Sequence, residues 1–149
     1  MITATSNLQV SSLTQVIAAK LLVSWGYDGF KTHTERVSEF YREKRDVFQA
    51  AMKQYMDEYA EWVKPEAGMF FWFKLKLSDD ANLKDAGDSE PVIRTTAFEK
   101  GVLALPGKVF LPNGNTTAYV RASFSLNTEE EVNEALRRLR AAMVEVRGE

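Results

Sequence analysis

The chain has 149 residues, room for one domain with a real core, and its 45% hydrophobic and 27% charged residues read as soluble and globular. A net charge of -2 leaves no basic footprint for nucleic acid, and the lack of cysteine excludes disulfides and thiolate metal sites. No apolar run approaches the roughly 20 residues of a membrane span, and the first six residues have neither the basic nor the apolar region of a signal peptide, so no membrane and a cytoplasmic location are the expectation.

Ser6 or Asn7 can cap a helix from about residue 8 to 25. Its apolar residues, among them Leu13, Val16, Ile17, Leu21 and Leu22, cover more than one stripe, so it expects neighbours on two sides. Gly26 is the expected stop, and Tyr27-Asp28-Gly29-Phe30 a short joint. His33, the one histidine, falls in the polar joint Lys31-Thr32-His33-Thr34; with no second histidine and no cysteine it reads as a surface residue, not a metal ligand. A long helix is predicted over 34–62, where Val37, Phe40, Tyr41, Val47, Phe48, Ala51, Tyr55, Tyr59 and Trp62 recur at three- and four-residue steps. At 1.5 Å per residue it is about 40 Å long, more than a sheet from this chain can cover. Its charged residues form a solvated face.

Residues 69–77 alternate as a strand. Met69, Phe71, Phe73, Leu75 and Leu77 share one face; Phe70, Trp72, Lys74 and Lys76 share the other. Large aromatics on the second face are either packed by another element, such as the first helix, or the wall of a pocket. Residues 78–88 are polar and acidic and read as a mobile loop. Ser89 is the expected cap of a helix over 90–100, with Pro91 tolerated in its first turn and Gly101 as its stop. A short strand over 102–105 breaks at Pro106-Gly107, and Leu111-Pro112-Asn113-Gly114 makes a turn or loop.

The run 118–125 alternates strictly, with Val120, Ala122 and Phe124 facing a core and Tyr119, Arg121, Ser123 and Ser125 facing out. Arg121 offers a planar fork of donors suited to a carboxylate or phosphate. With two glycine-marked strand ends upstream, this face could converge on one small anionic ligand. Thr128 and Glu131 form a capping box for a last helix running to about Val146. The order helix, long helix, strand, helix, strand, strand, helix is an α+β layer, with helices on one face of a small sheet.

The runs Ser11-Ser12-Leu13-Thr14-Gln15, Ala67-Gly68-Met69-Phe70-Phe71-Trp72, Leu105-Pro106-Gly107 and Tyr119-Val120-Arg121-Ala122-Ser123-Phe124-Ser125 resemble, in this order, the C-terminal part of a class I aminotransferase. The closest flavour is the aromatic-amino-acid, kynurenine and 2-aminoadipate group. The resemblance implies the C-terminal domain of a fold type I pyridoxal-phosphate enzyme: a small, mostly antiparallel sheet covered by helices on one face, with a long N-terminal helical connection. It implies that residues 1–30 are the tail of the large cofactor domain and 31–149 the small domain. It further implies pyridoxal phosphate as cofactor, amino acids and 2-oxo acids such as 2-oxoglutarate as substrates, and a homodimeric parent. In that family the arginine matched by Arg121 binds the substrate α-carboxylate, and the position matched by Phe70 approaches the substrate side chain. The family's cofactor-bonding lysine, and the aspartate that pairs with the pyridine nitrogen, have no match here. Lys20 sits inside a helix and lacks the serine-rich, glycine-following context. The chain is therefore expected to be a fragment, inactive alone and carrying no catalytic residue. The alternative expectation is a stand-alone module that binds a small acid or a partner through the same arginine face.

Overall fold

In the computed structural model, which describes residues 11–78 and 87–148, helix α1 spans Ser12–Met56 and bends once, at Gly26. The chain divides into two compact units, Met1–Phe40 and Tyr41–Glu149. The start of the first predicted helix and most of the predicted loop at 78–88 lie outside the described residues.

In the first unit the expected stop at Gly26 is a kink instead. Gly26 takes φ 61° and ψ -172°, and the helix resumes at once. The predicted joint over 27–34 is helical because it holds no proline, and Gly29 alone costs only about 1 kcal/mol in a helix. His33 lies on this helix, exposed, with its ring 4.7 Å from that of Trp25. Leu13, Ile17 and Leu21 remain 70%, 61% and 44% exposed. An apolar surface of this kind drives self-association. Sedimentation of the 149-residue chain is expected to show concentration-dependent oligomers, and replacing these three residues by serine to shift it towards monomer; a clean wild-type monomer at high concentration contradicts this.

The second unit holds a four-stranded sheet in the order β1-β2-β4-β3, from β1 (Ala60–Trp62), β2 (Phe70–Leu75), β3 (Leu105–Pro106) and β4 (Tyr119–Ser123). Every pairing is antiparallel. The long helix ends at Met56, not at Trp62. Residues 60–62 pair with β2 instead, Ala60 opposite Leu75 and Trp62 opposite Phe73. The helical spacing of Tyr55, Tyr59 and Trp62 is overridden by those ladder bonds, by Lys76 N–H to Tyr59 O at 2.8 Å, and by the Trp62 indole donating to Gln49 at 3.0 Å.

Between β2 and β3, α2 (Ser89–Pro91) runs into a π-helical stretch, Val92–Ala97. This corrects the regular helix expected over 90–100. Val92, Ile93, Thr95 and Thr96 are β-branched and crowd a regular helix; in the widened turn Val92 and Ile93 are both buried. The cap is Asp88, whose side chain accepts from Glu90 N–H at 3.0 Å, and not Ser89, which is fully buried. Strand β3 sits at Leu105–Pro106, later than the predicted 102–105, where Leu105 meets Arg121 and Pro106 meets Val120. A 3-10 turn, Gly107–Phe110, follows it.

Helix α3 (Glu129–Arg147) starts with the predicted capping box, Glu131 N–H to Thr128 Oγ1 and Thr128 N–H to Glu131 Oε2, at 3.2 and 2.8 Å. Its stripe Val132, Leu136, Leu139 and Met143 joins Phe48, Met52 and Met56 of α1, Val92 and Ile93, and the inner sheet residues Phe71, Phe73, Leu75, Val120 and Phe124 in one core. Phe48, Phe71 and Phe124 form its aromatic centre, with ring centroids 4.8 to 6.4 Å apart. Burying each such side chain contributes about 1.5–3 kcal/mol. The expected α+β layer, a small antiparallel sheet with helices on its apolar face, is the fold found.

On α3, Glu134 accepts from Arg137 Nε and Nη2 at 2.8 Å each and from Arg138 Nε at 2.7 Å. The hydrogen bonds from Arg137, then from Arg138, hold its carboxyl down at about 2. A lowered carboxylate contributes stability that is present above its unfolded value and lost as pH falls through the folded one. The stability gap between wild type and Glu134→Gln is therefore expected to be small at pH 6, because the site is exposed, and to close between pH 4.5 and about 2. Urea unfolding at those pH values checks it; a gap that persists at the acid end contradicts it.

Candidate functional site

The outer face of the sheet carries Phe70 and Trp72 from β2 and Tyr119 and Arg121 from β4. Phe70, Trp72 and Tyr119 are each about two-fifths exposed. β4 is an inner strand, so Arg121 is held between Trp72 on β2 and Leu105 on β3. Phe70 lies across from Ser123, one pair diagonal to Arg121.

Arg121 Cζ lies 4.2 Å from the centre of the Phe70 ring and 4.4 Å from the centre of the Phe110 ring. The guanidinium thus lies over two aromatic rings, a cation–π arrangement on each. Trp72 meets Phe110 edge-on at 5.6 Å and stacks on Tyr119 at 5.5 Å. The strand pattern put Arg121 and Phe70 on one face, and the structure brings them into contact. It adds the contact with Phe110 from the turn after Pro106-Gly107, and it stacks Tyr119, already placed on this face by alternation, on Trp72. Among the described residues no carboxylate or carbonyl takes up the guanidinium hydrogen bonds of Arg121, whose side-chain partners are the two rings. A planar fork held by apolar rings, with its donors uncommitted, suits a small planar anion.

The surrounding loops are fixed by close contacts. The backbone at Gly107 passes so near β4 that a Cβ there would lie 2.8 Å from Tyr119 O. Ser89 donates from Oγ to Tyr119 O at 2.7 Å and from N–H to Thr117 O at 2.9 Å. Lys108 Nζ reaches Glu90 Oε2 at 2.7 Å, and Arg94 Nε takes the other carboxylate oxygen at 3.0 Å. A separate groove of about 440 Å³ is lined by Tyr55, Glu129, Glu130, Asn133, Glu134 and Arg137. It shares no residue with the Arg121 face, and its three glutamates oppose an anionic ligand, so the chemistry favours Arg121. Among the described residues no group of His, Asp and Glu could hold a metal ion, and no helix is long and apolar enough to cross a membrane.

Pyridoxal phosphate, which the resemblance brings, needs a lysine to bond it and donors for its phosphate. The lysines Lys44 and Lys76 are spent on backbone carbonyls, and Lys64, Lys100 and Lys108 on carboxylates. Lys20 and Lys53 are exposed on α1. Lys31 pairs with Glu35, and Lys74, which shares the outer sheet face opposite Tyr119, is engaged in an interaction of its own, so the described residues do not by themselves fit the cofactor.

A family model described as aminotransferase class I and II matches residues 1–139. Aminotransferase tdiD of Emericella nidulans is 43% identical over 93% of this chain and 30% of its own length. The mitochondrial kynurenine/alpha-aminoadipate aminotransferase of Mus musculus is 36% identical over 92% of this chain and 31% of its own. Among solved structures, the alpha-aminoadipate aminotransferase LysN of Thermus thermophilus, complexed with N-(5'-phosphopyridoxyl)-L-leucine, superposes on 95% of this chain and 33% of its own at a TM-score of 0.73 and 28% identity. The chain thus spans about a third of the length of the relatives it matches.

Proposed function

We propose, from the premise that this chain belongs to the class I and II aminotransferases, that it supplies the substrate-carboxylate face of a longer pyridoxal-phosphate-dependent transaminase. The observation that carries this is Arg121, clasped by the rings of Phe70 and Phe110 on the uncovered face of the sheet with its hydrogen-bond donors uncommitted. Residues 1–30 are the tail of the cofactor domain and 31–149 the small domain that faces it. Arg121 takes the α-carboxylate of an amino acid, and of the 2-oxo acid that replaces it, through two parallel hydrogen bonds. Phe70, Phe110 and Trp72 keep water from that ion pair, which strengthens it. They also leave an aromatic or long apolar surface beside it, so aromatic or 2-aminoadipate-like donors, with 2-oxoglutarate as acceptor, are the substrates. The similarity to tdiD and to a kynurenine/alpha-aminoadipate aminotransferase supports that donor class. Pyridoxal phosphate, when bound, supplies the electron sink for amino transfer. The lysine that bonds it comes from the rest of the longer protein, and this chain alone is inactive. The whole protein is a homodimer and cytoplasmic.

A donor panel tests this. The full-length protein loaded with pyridoxal phosphate is mixed with single amino acids and the cofactor absorbance followed. Aromatic amino acids, kynurenine and 2-aminoadipate are expected to convert it fastest. A panel on which only alanine or aspartate reacts contradicts the donor assignment.

A further inference from the structure

Phe110 can keep its place on Arg121 only if the turn that carries it is held. The Gly107 end is held by close packing against Tyr119. Beyond it Val109, Phe110 and Leu111 are 53%, 41% and 39% exposed, and the turn closes on itself through Leu111 N–H to Lys108 O at 3.1 Å. Among the described residues, the polar side-chain contact tying this stretch to another element is Lys108 Nζ to Glu90 Oε2 at 2.7 Å. Glu90 is a firm anchor. It starts α2 beside Ser89, whose buried hydroxyl is bonded to Tyr119 O on β4. Arg94 takes the other oxygen of Glu90 at 3.0 Å, a contact separate from the one to Lys108. The two side chains are only 36% and 29% exposed, so the pair is better shielded than an ordinary surface bridge.

We infer that Lys108 is a positioning residue for carboxylate binding: its ion pair with Glu90 holds the Gly107–Phe110 turn, and so the Phe110 ring, against the Arg121 guanidinium. This rests on Arg121 being the carboxylate site. Loss of the pair frees the ring, and Arg121 keeps one aromatic face in place of two. Its guanidinium then hydrates and turns more freely, so the substrate is held less well. The chemistry after binding does not involve the turn. The hydrogen bond between the two groups, reinforced by their charges, raises the Lys108 ammonium above its usual range and lowers the Glu90 carboxyl below its own. Both therefore stay charged across neutral pH.

Steady-state kinetics of the full-length enzyme test this. Lys108→Ala is expected to raise KM for the amino acid about 3–10-fold, the scale of one cation–π contact, with kcat within about twofold of wild type. Glu90→Gln should do the same, Lys108→Arg should restore KM, and Arg94→Ala should leave it unchanged, because the Lys108 contact survives. A second readout does not depend on turnover. In the NMR spectrum of the chain, the Arg121 Nε–Hε signal, shielded by two rings, should move downfield in Lys108→Ala and Glu90→Gln and stay put in Arg94→Ala. An unchanged KM and an unmoved Nε–Hε signal in Lys108→Ala overturn the inference. So does a KM rise equally large in Arg94→Ala, which makes the effect one of helix stability. If Arg121→Ala itself leaves kinetics unchanged, the carboxylate site is what fails, whereas an Arg121 effect without a Lys108 effect removes the positioning role alone.

Discussion

Arg121→Ala in the full-length enzyme is expected to lose about 100-fold or more in kcat/KM, or roughly 3 kcal/mol of stabilisation, with pyridoxal phosphate still bound. The magnitude follows from the geometry. A carboxylate held by a planar guanidinium gains charge-assisted hydrogen bonds worth about 1.5–3 kcal/mol each. Here the guanidinium lies over two rings at 4.2 and 4.4 Å, which restrict its motion before the carboxylate arrives. Alanine leaves the bound carboxylate desolvated and without a partner. Arg121→Lys keeps the charge but loses both the fork and the flat surface that lies on Phe70 and Phe110, so it is also expected to be impaired, though less. The cofactor absorbance should not change in either variant if, as proposed, the rest of the longer protein holds it. Kinetics and absorbance recorded on one sample decide it. Unchanged kcat/KM with bound cofactor makes Arg121 an ordinary strand residue whose loss shifts stability slightly.

The second large effect is a complete one. The 149-residue chain, mixed with pyridoxal phosphate, an aromatic amino acid and 2-oxoglutarate, is expected to show no turnover. Borohydride added to the mixture is expected to fix no stoichiometric label on any one lysine. A covalent cofactor site needs a lysine poised beside the ring and a carboxylate at the pyridine nitrogen. Lys31, Lys44, Lys64, Lys76, Lys100 and Lys108 are held in other contacts, Lys74 on the outer sheet face opposite Tyr119 is engaged as well, and exposed Lys20 and Lys53 stand on a helix face with nothing to single them out. Lys84 lies outside the described residues. Turnover together with a single trapped lysine makes the chain a catalyst by itself. Binding of a small carboxylate without turnover, lost in Arg121→Ala, is compatible with the Arg121 face working as assigned.

The parts of this fold legible in the sequence are those set by short-range pattern. The period-two alternation through Phe71, Phe73, Val120 and Phe124 assigned the core face, and all four are buried. The capping box at Thr128 and Glu131 formed because its two hydrogen bonds are local. Where tertiary pairing decides, the pattern misled. Residues 60–62 carry a helical spacing, yet their backbone gains more from the free edge of β2. At Gly26 the pattern located a break but not its kind, since a glycine with positive φ can end a helix or bend one. The site was half legible. Arg121 and Phe70 share a face by alternation alone. Phe110 and the Lys108–Glu90 pair come from a loop and a helix start 18 residues apart, and no spacing rule connects them.

A paired half-reaction tests the proposal that Arg121 makes this chain the part of a transaminase that recognises a carboxylate. Full-length protein loaded with pyridoxal phosphate is mixed in a stopped-flow with phenylalanine or with 2-phenylethylamine, the same molecule without its carboxylate, and the decay of the cofactor band is followed. Phenylalanine is expected to react at least about 100-fold more efficiently than the amine in the wild type. Arg121→Ala is expected to close most of that gap by slowing phenylalanine and not the amine. Equal rates for the two donors in the wild type, or a gap that survives in Arg121→Ala, contradict it.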